Sequence, residues 1–114
     1  MSSRNLKGTS AVRARASVFA ALGDETRLAM VGTLADGQAQ SIARLTTGTN
    51  LSRQAVSKHL RVLESAGIVR LVRVGRESRF ELEPHAIDDV RTYLDQVSKQ
   101  WDDALARLKT LVEE

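Results

Sequence analysis

Residues 51–69, LSRQAVSKHLRVLESAGIV, decide the reading of the fold. Val56, Leu60 and Leu63 recur at spacings of four and three, which places them on one face of a helix. The opposite face carries Arg53, Gln54, Ser57, Lys58 and Arg61, and no acid appears before Glu64. A solvated helix face ordinarily mixes both signs of charge. A face made of cations and amides expects a negative partner that also offers hydrogen-bond acceptors. Ser52 is the expected N-cap of this helix, and Gly67 is its expected C′ residue because glycine tolerates positive φ.

Working toward the N-terminus, Ser41 caps a short helix whose buried residues are expected to be Ile42 and Leu45, and the turn-forming TTGTN of residues 46–50 ends it. Before it, Asp24 caps a helix with Glu25 on the positive end of the dipole. Leu28, Val31, Leu34 and Ala35 are its expected apolar stripe, and Asp36-Gly37 is its stop signal. Residues 11–22 predict a further helix with Ala11, Arg15, Val18, Phe19 and Leu22 along one side, broken at Gly23. Residues 1–10 are small, polar and basic, the composition of a flexible arm.

Beyond Gly67 the period changes. Residues 68–82, IVRLVRVGRESRFEL, alternate apolar and charged side chains around Gly75-Arg76-Glu77-Ser78. This predicts a β-hairpin with a basic tip. Pro84 suits the first turn of a last helix. There Ile87, Leu94, Trp101 and Leu108 stand seven apart, as do Val90, Val97, Ala104 and Leu111, giving one a/d seam over four heptads. The predicted fold is therefore mainly α with a small β-hairpin, in the order α-α-α-α-β-β-α. Two closely spaced helices followed by a basic hairpin make a helix-turn-helix with a wing, within one domain spanning residues 11–114.

Bulk properties fit that picture. The chain has 114 residues, no cysteine and one proline, so neither a disulfide nor a thiolate metal site is available. No apolar run approaches the length of a membrane span, and the N-terminus lacks the apolar stretch of a signal peptide, so a cytoplasmic location and no membrane partner are expected. The net charge of +3 is unevenly spread: residues 53–79 hold seven cations against two acids, and residues 84–114 hold four against seven. A basic segment beside an acidic one suggests two surfaces with different tasks.

The side chains on the helix at 53–65 suit double-stranded DNA. Arg53 is able to donate bidentately to guanine, Gln54 to pair with adenine, and Ser57 to meet either base edge. Lys58 and Arg61 reach bases or phosphates, and Ser52 with the free N–H groups of the first turn faces a phosphate. His59 flanks the buried stripe, where packing or a phosphate hydrogen bond is its expected role. Arg73, Arg76 and Arg79 surround the hairpin tip and suit the minor groove or backbone. The seam of the last helix is long for a core this small. A second copy is therefore expected to cover Leu94, Val97, Trp101, Leu105 and Leu108 together with Ala11, Arg15, Val18 and Phe19 of the first helix.

FAALGDETRLAMVGTLADG followed by LSRQAVSKHLRVLESAGIVRLVRVGRESRFEL resembles the ArsR family of bacterial winged-helix regulators, over about residues 16–95. The resemblance implies a homodimer built largely from the first and last helices, which represses its own promoter by binding an imperfect inverted repeat. It implies base reading by Arg53, Gln54, Ser57 and Lys58. Metal sensors of the family use cysteines near the recognition unit or His and carboxylates on the last helix. Here only His85, Asp88 and Asp89 fall close together there, a poor ligand set, so no metal and no cofactor is expected and the effector stays open. A winged helix that binds a protein partner in place of DNA is the alternative; its recognition face would carry acids or exposed apolar residues. Two histidines, no cysteine and no glycine-rich phosphate loop leave no nucleophile–base pair, which argues against an enzyme.

Overall fold

The computed structural model describes the backbone from Ser3 to Glu113 and the side chains from Ser10 to Glu113. In chain order the elements are α1 (Ser3–Leu22), α2 (Glu25–Thr33) with a 3-10 turn at Leu34–Asp36, α3 (Ile42–Thr46), α4 (Arg53–Ser65), β1 (Val69–Val74), β2 (Glu77–Leu82) and α5 (Pro84–Glu113). The chain divides into two compact units at the Glu83–Pro84 junction. The expected helix order and hairpin are those observed.

Polar caps set the helix starts. The side chains of Asp24, Ser41 and Ser52 accept from the backbone N–H groups of Arg27, Arg44 and Ala55 at 2.9, 3.1 and 3.1 Å, satisfying donors that the first turn leaves unpaired. The end of α4 is a Schellman motif. The N–H of Ile68 donates to Leu63 and that of Gly67 to Glu64, both at 2.9 Å, with Gly67 at φ 78°. Leu63 and Ile68, the apolar pair of that motif, are both fully buried.

The core of the first unit is one cluster. Met30 and Leu34 of the α2 region, Leu45 of α3, Val56, Leu60 and Leu63 of α4, and Ile68, Val69 and Phe80 around the hairpin are buried together with Ala21. The expected α4 stripe is thus the centre of the core. The expected α2 stripe is rotated: Met30 and Leu34 are buried and Val31 is partly so, whereas Leu28 is 55% exposed and Ala35 lies at the surface. The reason is the Asp24 cap, which sets the helix phase so that Arg27, Met30, Val31 and Leu34 turn inward.

α1 starts at Ser3, eight residues before Ala11, so the segment expected as a flexible arm is helical from Ser3 onward. Once a helix is nucleated each added residue gains a hydrogen bond, and Gly8 at roughly 1 kcal/mol does not stop it. Met1 and Ser2 lie outside the described residues.

The strands pair antiparallel from Val69↔Leu82 to Val74↔Glu77, leaving a two-residue turn at Gly75-Arg76. Gly75 has φ 63° and Arg76 a negative φ, the pattern of a type II′ turn, whose twist matches that of the strands. A third backbone segment joins the hairpin: Gln40 and Phe80 exchange N–H···O bonds at 2.8 and 2.7 Å. This bridge ties the wing to the chain just ahead of α3, and nothing in the sequence pattern announced it.

The second unit is α5, a single helix about 45 Å long at 1.5 Å per residue. None of its residues is buried. Ile87, Leu94, Val97, Trp101, Leu105, Leu108, Leu111 and Val112 stand between 39% and 77% exposed.

Candidate nucleic-acid interface

Val56, Leu60 and Leu63 anchor α4 in the core, and this fixes which side of the helix faces outward. Ser52, Arg53, Gln54, Lys58 and Arg61 are exposed and Ser57 is half-buried. Arg53, Gln54, Ser57, Lys58 and Arg61 line one open cleft of about 480 Å³ whose other wall is Ile42 and Ala43 of α3. The five residues singled out on the helix face therefore share one surface. Among the described residues none of these five side chains is held by an ion pair, so their donors point at solvent.

Ile42 and Ala43 were absent from the sequence-based site. Apolar side chains carry no chemical signature of recognition. Their signal was positional: they occupy the first turn of a capped helix packed against the reading helix. A small apolar side chain there suits contact with a thymine methyl group.

His59 is placed elsewhere. Its Nδ1 lies 3.4 Å from Arg27 Nη1 and 3.8 Å from an Asp24 carboxylate oxygen. It sits on the flank of α4 that meets α2 and takes no part in the cleft, contrary to its listing among DNA contacts on sequence grounds. Arg27 also donates its Nε to the Ala21 carbonyl at 2.8 Å. The GDETRL stretch thus joins the end of α1, the start of α2 and the middle of α4. Asp24 is held below the usual carboxylate range, first by the Arg27 N–H it accepts and then by the Arg27 and His59 charges, partly opposed by desolvation.

The wing differs from its expected form in one respect. Arg76 at the tip is exposed and makes no hydrogen bond or ion pair among the described residues. Arg73 donates to Ser78 Oγ at 3.3 Å. Arg79 is tied to Glu77: its Nε and Nη2 both reach Oε2, at 3.1 and 2.9 Å. Residues two apart on a strand share a face, so this pairing was available in the sequence. Nearer the core, Arg70 bonds Glu81 across the ladder at 2.8 Å and approaches Glu83 at 3.6 Å, which raises its already high pKa.

Of the residues expected at a second-copy interface, Ala11 and Phe19 are at the surface, while Arg15 and Val18 are half-buried. Val18 packs on the core of the first unit. Leu94, Val97, Trp101, Leu105 and Leu108 are all exposed on α5.

A family model described as a helix-turn-helix domain matches residues 14–72. Rv2034, an HTH-type transcriptional regulator of Mycobacterium tuberculosis (strain ATCC 25618 / H37Rv), is 36% identical over 93 residues, which are 82% of this chain and 83% of that protein. An ArsR-like transcriptional regulator from Rhodococcus sp. RHA1 has a similar structure, with TM-score 0.80 and 38% identity over 92% of this chain and 95% of that one. The fold is also that of the homodimeric winged helix-turn-helix DNA-binding domain, fragment 1–100, of Mb0332 from Mycobacterium bovis. There the TM-score is 0.67 and the identity 21%, over 82% of this chain and 86% of that one.

Proposed function

The chain belongs to the ArsR-like family of winged helix-turn-helix transcriptional regulators, and from that premise we propose that it is a homodimeric repressor that binds an imperfect inverted repeat, including one in its own promoter. The observation that carries this reading is the α3–α4 cleft, in which five polar or cationic side chains face solvent with no acid among them. A carboxylate beside DNA phosphates loses hydration and gains repulsion, so its absence suits a polyanion. In this reading α4 enters the major groove. Arg53, Gln54 and Ser57 read base edges, and Lys58, Arg61, Ser52 and the helix N-terminus meet phosphates. Arg76 carries the wing's contact with the backbone, joined by Arg73 and, less strongly, by Arg79.

The apolar row of α5 supports the dimer. A single helix with eight large apolar side chains at the surface has a strong drive to be covered. A second copy of the same row, with Ala11, Val18 and Phe19 of α1, supplies a twofold interface. Two recognition helices about 34–36 Å apart would then meet successive major grooves.

Gln54→Ala tests the assignment of α4. It should cost roughly 1–3 kcal/mol on the inverted repeat and relax the preference at one base pair in each half-site. Binding to random duplex should hardly change. An equal loss on both DNAs removes Gln54 from base reading, and no preference of the wild type for any upstream inverted repeat sinks the repressor.

A further inference from the structure

Two clefts of the winged unit meet at one side chain. The first is the α3–α4 cleft. The second, about 420 Å³, lies between α1 and α4, where Ser17, Ala20, Arg27, Arg61, Val62 and Ala66 are among its walls. Arg61 lines both.

The chemistry of the second cleft is specific. Its floor is carbon: Ala20 and Ala66 beside Val62, which is 41% exposed. Its polar groups are two guanidiniums and two serines, and no acid lines it. Arg27 is pre-set by its bond to the Ala21 carbonyl and its approach to His59, so it need not be ordered by a ligand. Arg61 is exposed, with no ion pair among the described residues. Guanidinium forks match planar carboxylates and stack on flat apolar groups. A volume of this size falls in the range of small-molecule sites.

We propose that the α1–α4 cleft binds a small organic anion, a carboxylate on a flat apolar body, and that this ligand competes with DNA for Arg61. The ligand site stands on the cleft itself; the competition rests on the proposed reading of α4. An anion seated between Arg27 and Arg61 draws the Arg61 guanidinium out of the α3–α4 cleft and so removes one cation from the phosphate-facing surface of each protomer. A second copy leaves the site open. At 100° per residue, Ser17 and Ala20 turn to the side of α1 away from the row of Ala11, Arg15 and Phe19.

Naphthoate is a suitable probe and naphthalenemethanol its uncharged counterpart, each titrated into the full chain and followed by backbone-amide NMR shifts. Naphthoate should produce saturable shifts at Ala20, Ala21, Val62 and Ala66 with a midpoint below about 1 mM, and the alcohol should not. Ser17→Leu fills the cleft from an exposed helical position that tolerates leucine. It should abolish the shifts, as should Arg61→Gln. Absence of shifts, equal shifts with the alcohol, or shifts that survive both substitutions overturn the site. At fixed ionic strength, saturating naphthoate should lower the affinity of the wild type for duplex DNA about fivefold to tenfold, the loss of one phosphate contact, and leave Ser17→Leu unaffected. Saturable binding with unchanged DNA affinity overturns the competition. Failure of the chain to bind any duplex overturns the proposed function, and with it the competition, while the NMR titration decides the ligand site by itself.

Discussion

The winged unit and α5 treat carbon and charge in opposite ways. In the unit ending at Glu83, Leu34, Val56, Leu60, Leu63 and Ile68 are 0% exposed, while Arg53, Lys58, Arg61 and Arg76 stand at the surface with no ion pairs among the described residues. In α5 the large apolar side chains stand at the surface, and no residue is buried. Both segments are amphipathic, so periodicity does not distinguish them. The difference is what lies opposite the apolar row within one chain. α4 has α2, α3 and the hairpin packed around it, and its apolar face is satisfied. Unsatisfied charge on the first unit and unsatisfied carbon on α5 point to two different partners, a polyanion and a second apolar row.

The largest effect expected from breaking this contrast is at Leu60. Leu60→Ala removes buried methyl groups from the centre of a closed cluster, where partial relaxation leaves a cavity. The cost should be about 2–5 kcal/mol of unfolding free energy, read from urea denaturation monitored by circular dichroism. A loss below about 1 kcal/mol would mean that the α4 row is no better packed than that of α5.

Trp101→Ala probes the other side. Trp101 is 65% exposed, so its removal opens no cavity within the chain. If a second copy covers the seam, a buried tryptophan is a typical hot spot worth about 2 kcal/mol or more of dimer affinity. Sedimentation should then show dissociation at concentrations where the wild type is dimeric, and DNA affinity should fall with it. A wild type that sediments as a monomer at micromolar concentration leaves α5 without the proposed partner.

The contrast also explains which features could be read without coordinates. Caps at Asp24, Ser41 and Ser52, the Gly67 stop and the α4 stripe are local: each depends on residues within one turn, and each was found where expected. The errors are tertiary. Leu28 was assigned inward because its spacing suits the stripe, but the phase of α2 is set by packing against α1 and α4. His59 was assigned to DNA because it follows Lys58, whereas Arg27, thirty-two residues earlier, meets its ring. The Gln40–Phe80 bridge has no side-chain signature at all, because it is made by backbone groups. The reading surface was recoverable in part: its charged members declare themselves by type, and Ile42 and Ala43 do not.

The wing sharpens the comparison on a smaller scale, since it sets one unpaired arginine beside one paired arginine. Arg76→Ala should weaken binding to all sequences and flatten the plot of log affinity against log salt by about 1. Arg79→Ala should flatten it less, because Glu77 already offsets that charge and contact with a phosphate would first break the pair. Glu77→Gln should raise DNA affinity through the freed Arg79. Equal slopes for the two arginine variants would show that the Arg79–Glu77 pair does not persist in the complex.

The smallest effect lies at Asp24, where the winged unit does pair its charges. Its carboxyl is held below the ordinary value of 3.8, chiefly by the Arg27 N–H it accepts, with help from the Arg27 and His59 charges. A folded-state pKa below the unfolded one means that the unfolded chain takes up the proton first. The stabilisation is therefore complete well above pH 4 and is lost as pH falls through the unfolded and then the folded value. Asp24→Asn keeps a side-chain oxygen for the cap and removes the charge. The gap in melting temperature between wild type and Asp24→Asn should be steady from about pH 7 to about pH 5 and should close below about pH 4. The side chain is exposed enough for salt to screen it, so the gap should also narrow in high salt. A gap that stays constant down to about pH 3 would show that Asp24 acts only as a neutral cap, and that the Asp24–Arg27–His59 contacts contribute packing without charge.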